Sequence, residues 1–257
     1  MTDFDRHCAE VATQTTLLTE YLDGADLGLP APTCPGWNVS QLLRHVDGGL
    51  RWATEIVGTR ATAPPPDVAL RDLSGFTDED PSRLTESLTE AAALLQRTLI
   101  EAGADAQMWC PVDGGGAAFF ARRFTHETAI HRADAAIALG VDYLLETGVA
   151  VDAIDEWLEL GCLPFHFEVH PWMRELLGPG RTIGLHATDA DVDWLLDFTG
   201  DAIAWHRSDD AASADLRGPV TELLLTIYRR MPLHSGAVEV TGDDGLVGFW
   251  LERVGFG

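Results

Sequence analysis

Glutamate and histidine stand four apart in Glu127-Thr-Ala-Ile-His131. On a helix that spacing stacks two side chains on one face, about 40° apart around the axis. A carboxylate and an imidazole so placed can share one divalent cation. An imidazole from a second helix can then complete three protein ligands and leave a coordination position open. His45, far upstream in Gln41-Leu-Leu-Arg-His45, is a candidate for that third group. Open positions are where a metal polarises a substrate or lowers the pKa of a bound nucleophile. The pair alone is also an ordinary helix-face pattern, so its spacing leaves both readings open. A buried glutamate beside a histidine is nevertheless costly unless it is paired or bound to a metal.

Preceding this pair, His126-Glu127 invites comparison with the zinc-protease pattern H-E-x-x-H, and the match fails by one residue. His126 and His131 are five apart, about 140° around a helix, and cannot chelate one ion from one face. His126 therefore falls outside the expected ligand set. His166 and His170 have ligand spacing but lie between Pro164 and Pro171, in a segment expected to join two domains. Asp189, Asp191 and Asp193 mimic the start of a calcium loop, but Trp194 replaces the required glycine and the bidentate glutamate is missing. His7, His186, His206 and His234 have no partner at ligand spacing and read as surface or strand residues.

Long helices must carry the pair and its partner. Apolar residues at helical spacing predict a helix over 2–22. Asn38 with Gln41 three residues on forms a capping-box pattern opening a second helix, which should run to about Val57 and carry His45. A proline-rich connection over 59–79 precedes a third helix from Pro81 to Gly103, where proline suits the first turn. A loop or hairpin over 104–115 leads to a fourth helix, Ala117 to Leu139, which bears Glu127 and His131 and stops at Gly140. Four such amphipathic helices predict an antiparallel bundle, and 149–161 reads as a fifth helix leading out of it. Strand-like alternation then appears over 182–188, and 193–198 and 202–206 are candidate neighbours, with an apolar helix Val220 to Arg230 after Gly218-Pro219; Val238-Glu-Val240, a turn at Gly242-Asp-Asp-Gly245 and a final helix or strand to Glu252 follow. The expected organisation is α+β: a helical domain over 1–163 and a smaller α+β domain over 164–257.

Composition narrows the chemistry. Net charge is −24 and every strong base is arginine. The absence of lysine excludes Schiff-base chemistry and a P-loop lysine. The acidity argues against nucleic acid or an anionic membrane as partner. No apolar run is long enough to span a bilayer and no secretory pattern opens the chain, so a cytoplasmic protein is expected. Cys8, Cys34, Cys110 and Cys162 are scattered and read as reduced, buried thiols. Arginine in place of lysine, with abundant Ala, Gly and Asp, is the composition a GC-rich genome produces.

Thr33-Cys-Pro-Gly-Trp-Asn-Val-Ser-Gln-Leu-Leu-Arg-His45, followed by His126-Glu127-x-x-x-His131-Arg132-x-Asp134, resembles the mycothiol-dependent maleylpyruvate isomerase family. The run from Leu216 through Arg230, then Val238-x-Val-Thr-Gly-Asp243, is similar to the family's C-terminal domain. The resemblance implies a DinB-like metal-binding four-helix bundle followed by an α+β domain. It implies a divalent metal, zinc first, held by His45, Glu127 and His131, and mycothiol as thiol cosubstrate. It also implies an arginine at the end of the C-terminal apolar helix, directed toward the cleft between domains. Arg230 is the best match, with Arg229 adjacent. A guanidinium there suits a carboxylate on substrate or thiol, although a charge complementing a helix end would look the same. Asp134, on the His131 face, is expected either to orient that ligand or to pair with an arginine such as Arg132. Trp37 and Cys34 read as packing residues.

The resulting expectation is a metal-dependent, mycothiol-using isomerase or transferase acting on a small electrophilic or unsaturated acid, and sufficient as a monomer. A thiol-independent metal hydrolase and a non-catalytic metal-dependent binder of small ligands are the alternatives.

Overall fold

The structure is a computed structural model that describes residues 2–67, 73 and 79–254. It divides into two compact units, Met1–Tyr143 and Leu144–Gly257. Of the proline-rich connection expected over 59–79, residues 68–72 and 74–78 lie outside the described residues.

Four helices build the first unit: α1 (Asp3–Glu20), α2 (Val39–Thr59), α3 (Pro81–Ala102) and α4 (Ala117–Leu139). Their ends follow the capping chemistry of the sequence. The Asn38 side chain accepts from the Gln41 amide at 2.9 Å, and the Gln41 side chain accepts from the Asn38 amide at 2.9 Å, closing the predicted box at α2. Asp80 caps α3 ahead of Pro81, and α4 stops where Gly140 turns left-handed. Helices α1 and α2 each pack against both α3 and α4 but hardly touch one another. The two helices adjacent in sequence are thus diagonal in the bundle, which the long connection between them permits.

Leu18, Leu42, Leu43, Leu50, Ile56, Leu84, Leu88, Leu95, Leu99 and Phe120 are all buried in this unit. Each such side chain contributes about 1.5–3 kcal/mol on burial. Helix α4 buries more polar groups than α1 or α2: Thr125, His126, Thr128, His131, Arg132 and Asp134. A helix with that much buried polarity must satisfy it internally. Arg132, 2 % exposed, donates to Gln14 Oε1 at 3.0 Å and to the Tyr21 hydroxyl at 2.7 Å. Its guanidinium lies 4.4 Å from the Tyr143 ring centroid, and these contacts lock α4 onto α1.

The second unit opens with α5 (Thr147–Gly161), α6 (His166–Val169) and a 3-10 turn over Pro171–Leu176. Strands β1 (Thr182–Ala187), β2 (Asp193–Asp197), β3 (Ala204–His206), β4 (Ala214–Gly218) and β5 (Glu239–Gly242) form one sheet in the order β3-β2-β1-β4-β5. Only β1 and β4 pair in parallel. Helix α7 (Val220–Ile227) packs on β1, β4 and α5, and α8 (Asp244–Arg253) packs on the 3-10 turn and β4. Trp157, Trp194 and Trp250 fill the core between them.

Sequence periodicity locates β1, β2 and β3 but does not anticipate β4, β5, α6 or the 3-10 turn. The compact division falls before α5, earlier than the composition shift at 163/164, because α5 packs on α7 of the second unit. Helix α7 also ends at Ile227, short of the expected Arg230. Tyr228 closes it and Arg229 takes a left-handed conformation with φ of 59°. No helix among the described residues is long and apolar enough to cross a membrane.

Candidate metal centre

Helix α4 stacks Arg123, Glu127 and His131 at successive four-residue steps, and α2 brings His45 against them. The Glu127 Oε1 atom lies 3.1 Å from His131 Nε2 and 3.7 Å from His45 Nε2. One ligand atom from each of these three residues falls within 4.8 Å of the others. Ligands about 2.0–2.1 Å from a tetrahedral zinc stand about 3.3 Å from one another, close to the 3.1 and 3.7 Å that separate Glu127 Oε1 from the two imidazoles. Two imidazoles and one carboxylate, with no sulfur, form a donor set of the catalytic zinc type. The fold therefore gathers His45, Glu127 and His131, the three residues expected from the resemblance to hold a metal.

Neighbouring groups orient each of the three. His131 directs Nδ1 to Asp134 Oδ2 at 2.8 Å, which leaves Nε2 for the site. Asp134 is fully buried, and the same Oδ2 accepts from Cys34 Sγ at 3.3 Å. Of the two roles expected for Asp134, the contact with His131 is present, while Arg132 reaches Gln14 and Tyr21. The His45 ring sits 5.0 Å from the His131 ring in a T-shaped arrangement and 5.0 Å from the Trp37 ring. Cys34 and Trp37 thus do more than pack: one reaches an orienting carboxylate and the other walls the His45 imidazole. Glu127 Oε2 accepts from Arg123 Nη2, a contact foreshadowed only by its i,i+4 spacing.

Charges in this cluster are set by one another. Burial alone would push the Glu127 carboxyl up, but the Arg123 guanidinium and the His131 and His45 rings hold it well below the usual carboxylate range. Burial would likewise lower the His131 imidazole, yet hydrogen bonds to Asp134, Cys34 and Glu127 hold it well above the usual histidine range. Without a cation, a proton on His131 plays the cation's part between two carboxylates.

His126 is fully buried and its ring lies against that of His7, 5.9 Å away, outside the ligand trio as expected. Arg230 belongs to the second unit. There its Nη1 donates to the Tyr228 carbonyl at 2.9 Å, and its guanidinium lies 5.8 Å from the Tyr228 ring centroid. His166 and His170 stack in parallel at 6.1 Å in α6 and just after it. His186, which no sequence spacing singles out, lies between Asp193 Oδ1 at 2.7 Å and Asp215 Oδ1 at 2.9 Å. Those partners come from β2 and β4. The residue opposite Asp215 is Gly184, where a side chain would collide with the His186–Asp215 contact.

Comparison with known proteins places these residues in a wider group. Residues 8–136 match the family model described as the mycothiol maleylpyruvate isomerase N-terminal domain. Among solved structures, the chain is similar to the crystal structure of a mycothiol-dependent maleylpyruvate isomerase, with a TM-score of 0.61 and 14% identity over 93% of this chain and 92% of that one. A point mutant of such an isomerase gives a TM-score of 0.59 at the same identity and coverage. At that identity the structural likeness speaks for the fold, here the helical unit followed by the sheet. A sequence search among curated proteins finds no significant match. The family model spans half the chain and includes His45, Glu127 and His131, so the chain belongs to the mycothiol maleylpyruvate isomerase N-terminal domain family.

Proposed function

We propose that this protein is a metal-dependent enzyme that uses a low-molecular-weight thiol, mycothiol, to isomerise or conjugate a small electrophilic or unsaturated acid. One observation carries the reading: a single oxygen of Glu127 faces the Nε2 atoms of both His131 and His45 at ligand spacing. His45, Glu127 and His131 would hold the cation, zinc being the best match to two imidazoles and a carboxylate. When bound, such a cation supplies Lewis acidity and lowers the pKa of a coordinated thiol. Asp134 keeps the His131 ring in the tautomer that offers Nε2, and Trp37 limits the rotation of His45. Membership in a family named for a mycothiol-using isomerase supports the choice of thiol.

For an isomerase the electron count closes without an oxidant. The thiolate sulfur bonds to one carbon of the activated double bond, and the π pair moves into the conjugated carbonyl. Rotation about the resulting single bond follows. The pair then returns, the sulfur–carbon bond breaks and the thiolate is regenerated. Arg230 is proposed to recognise a carboxylate, since a guanidinium offers a planar fork for that group.

The test is direct. Purified protein should carry stoichiometric metal, His45→Ala should lose it, and turnover of an unsaturated diacid or an electrophile should require added mycothiol. Absence of metal, or unchanged metal content in His45→Ala, would sink the metal reading. Equal turnover with and without the thiol would favour hydrolysis instead.

A further inference from the structure

The Glu127 carboxylate is divided between two tasks. Its Oε1 faces His131 and His45, while its Oε2 is taken by Arg123 one helical turn earlier. Arg123 is the more enclosed partner, 17% exposed against 30% for Glu127. Helix stabilisation gives the pair only part of its reason, because a base placed before an acid at i,i+4 is the weaker orientation on a helix. Denticity supplies the rest. A free carboxylate can close on a cation with both oxygens, whereas one whose second oxygen is held by a guanidinium presents a single donor. With two histidines, a two-oxygen glutamate would supply four protein donor atoms, so that any incoming group makes the metal five-coordinate and is held more weakly. A one-oxygen glutamate supplies three and leaves the fourth tetrahedral position for an incoming group.

We infer that Arg123 is a positioning residue that holds Oε2 of Glu127, makes the carboxylate a one-oxygen ligand and so keeps the metal's exchangeable position open. This rests on the metal reading above. It assigns to Arg123 a role in coordination number rather than in contact with substrate.

Cobalt(II) loaded in place of zinc tests it, because four-coordinate cobalt absorbs visible light several-fold more strongly than five-coordinate cobalt. Full-length wild type, Arg123→Met, Arg123→Gln and Arg123→Lys would be loaded with cobalt, checked for stoichiometry and folding, and titrated with a simple thiol such as 2-mercaptoethanol. The expected result is intense absorption in wild type, a several-fold loss in the Met and Gln variants at full cobalt stoichiometry, and at least tenfold weaker thiol binding in both. Arg123→Lys, which keeps a charge on Oε2, should recover most of the intensity. Wild-type spectra and thiol affinity in the Met or Gln variant overturn the inference while leaving the metal reading intact. Loss of cobalt from both variants also overturns it, since Arg123 would then be needed for binding itself. Failure of wild type to bind cobalt or zinc removes the metal reading and the inference together.

Discussion

Replacing Asp134 should weaken metal binding without touching a ligand. Asp134 is fully buried, and its Oδ2 accepts from His131 Nδ1 at 2.8 Å and from Cys34 Sγ at 3.3 Å. Asp134→Asn keeps the shape and can keep an oxygen at that position, but it removes the charge that makes the His131 ring a stronger donor toward a cation. Outer partners of this kind are worth about 10–100-fold in metal affinity. The isosteric change belongs at the low end, about tenfold or about 1.4 kcal/mol. Asp134→Ala also deletes the acceptor and leaves His131 and Cys34 without it, which belongs near 100-fold, about 2.7 kcal/mol. Competition of the zinc-loaded protein against a chromophoric chelator at fixed pH reads both ratios, and thermal melts of the metal-free variants separate affinity from stability. Zinc affinities within twofold of wild type in both variants would refute the orienting role. A loss in Asp134→Asn larger than in Asp134→Ala would refute the graded argument.

Proton competition at the same site gives a second prediction. The metal-free His131 imidazole is held protonated well above its usual range, and a cation must displace that proton. Apparent zinc affinity should therefore climb about tenfold per pH unit, one proton released per ion bound, until the pH passes that raised value; a pH-independent affinity between pH 6 and 8 would contradict the assignment. In the sheet, burial would lower the His186 imidazole but Asp215 and Asp193 raise it. Its folded-state pKa therefore lies above the unfolded one, and the stability it adds is complete below about pH 6.5 and fades as the pH rises through the folded value. His186→Phe should accordingly lower the melting temperature more at pH 6 than at pH 9, and the reverse ordering would remove the charged bridge from consideration. Asn38→Ala breaks the box at the start of α2 and should cost about 1 kcal/mol in denaturant unfolding, with metal stoichiometry retained because His45 lies nearly two turns further along.

Local rules account for much of what the sequence shows. The Asn38–Gln41 box, Pro81 at the start of α3 and Gly140 at the end of α4 are chemical signals confined to a few residues, so their meaning survives folding unchanged. The Glu127–His131 pair is legible for the same reason, since a four-residue step on a helix sets the distance between two side chains whatever surrounds them. Arg123 was available by the same rule and is passed over because a basic residue beside an acidic one reads as an ordinary surface pair. Strand β4 is harder to see. It is five residues long, ends at Gly218-Pro219, and finds its neighbours β1 and β5 far away in the chain.

By itself, then, the sequence determined the four bundle helices, their ends, and the Glu127–His131 pair, whose relation is fixed by helical geometry. Tertiary structure decided which oxygen of Glu127 faces the histidines, because that depends on Arg123 and on the approach of α2 to α4. It also gave the buried Arg132 its partners, Gln14 on α1 and Tyr21 just after it. Only the sheet could make His186 a bridge between two aspartates, because its partners meet it through long-range strand register that no local spacing encodes.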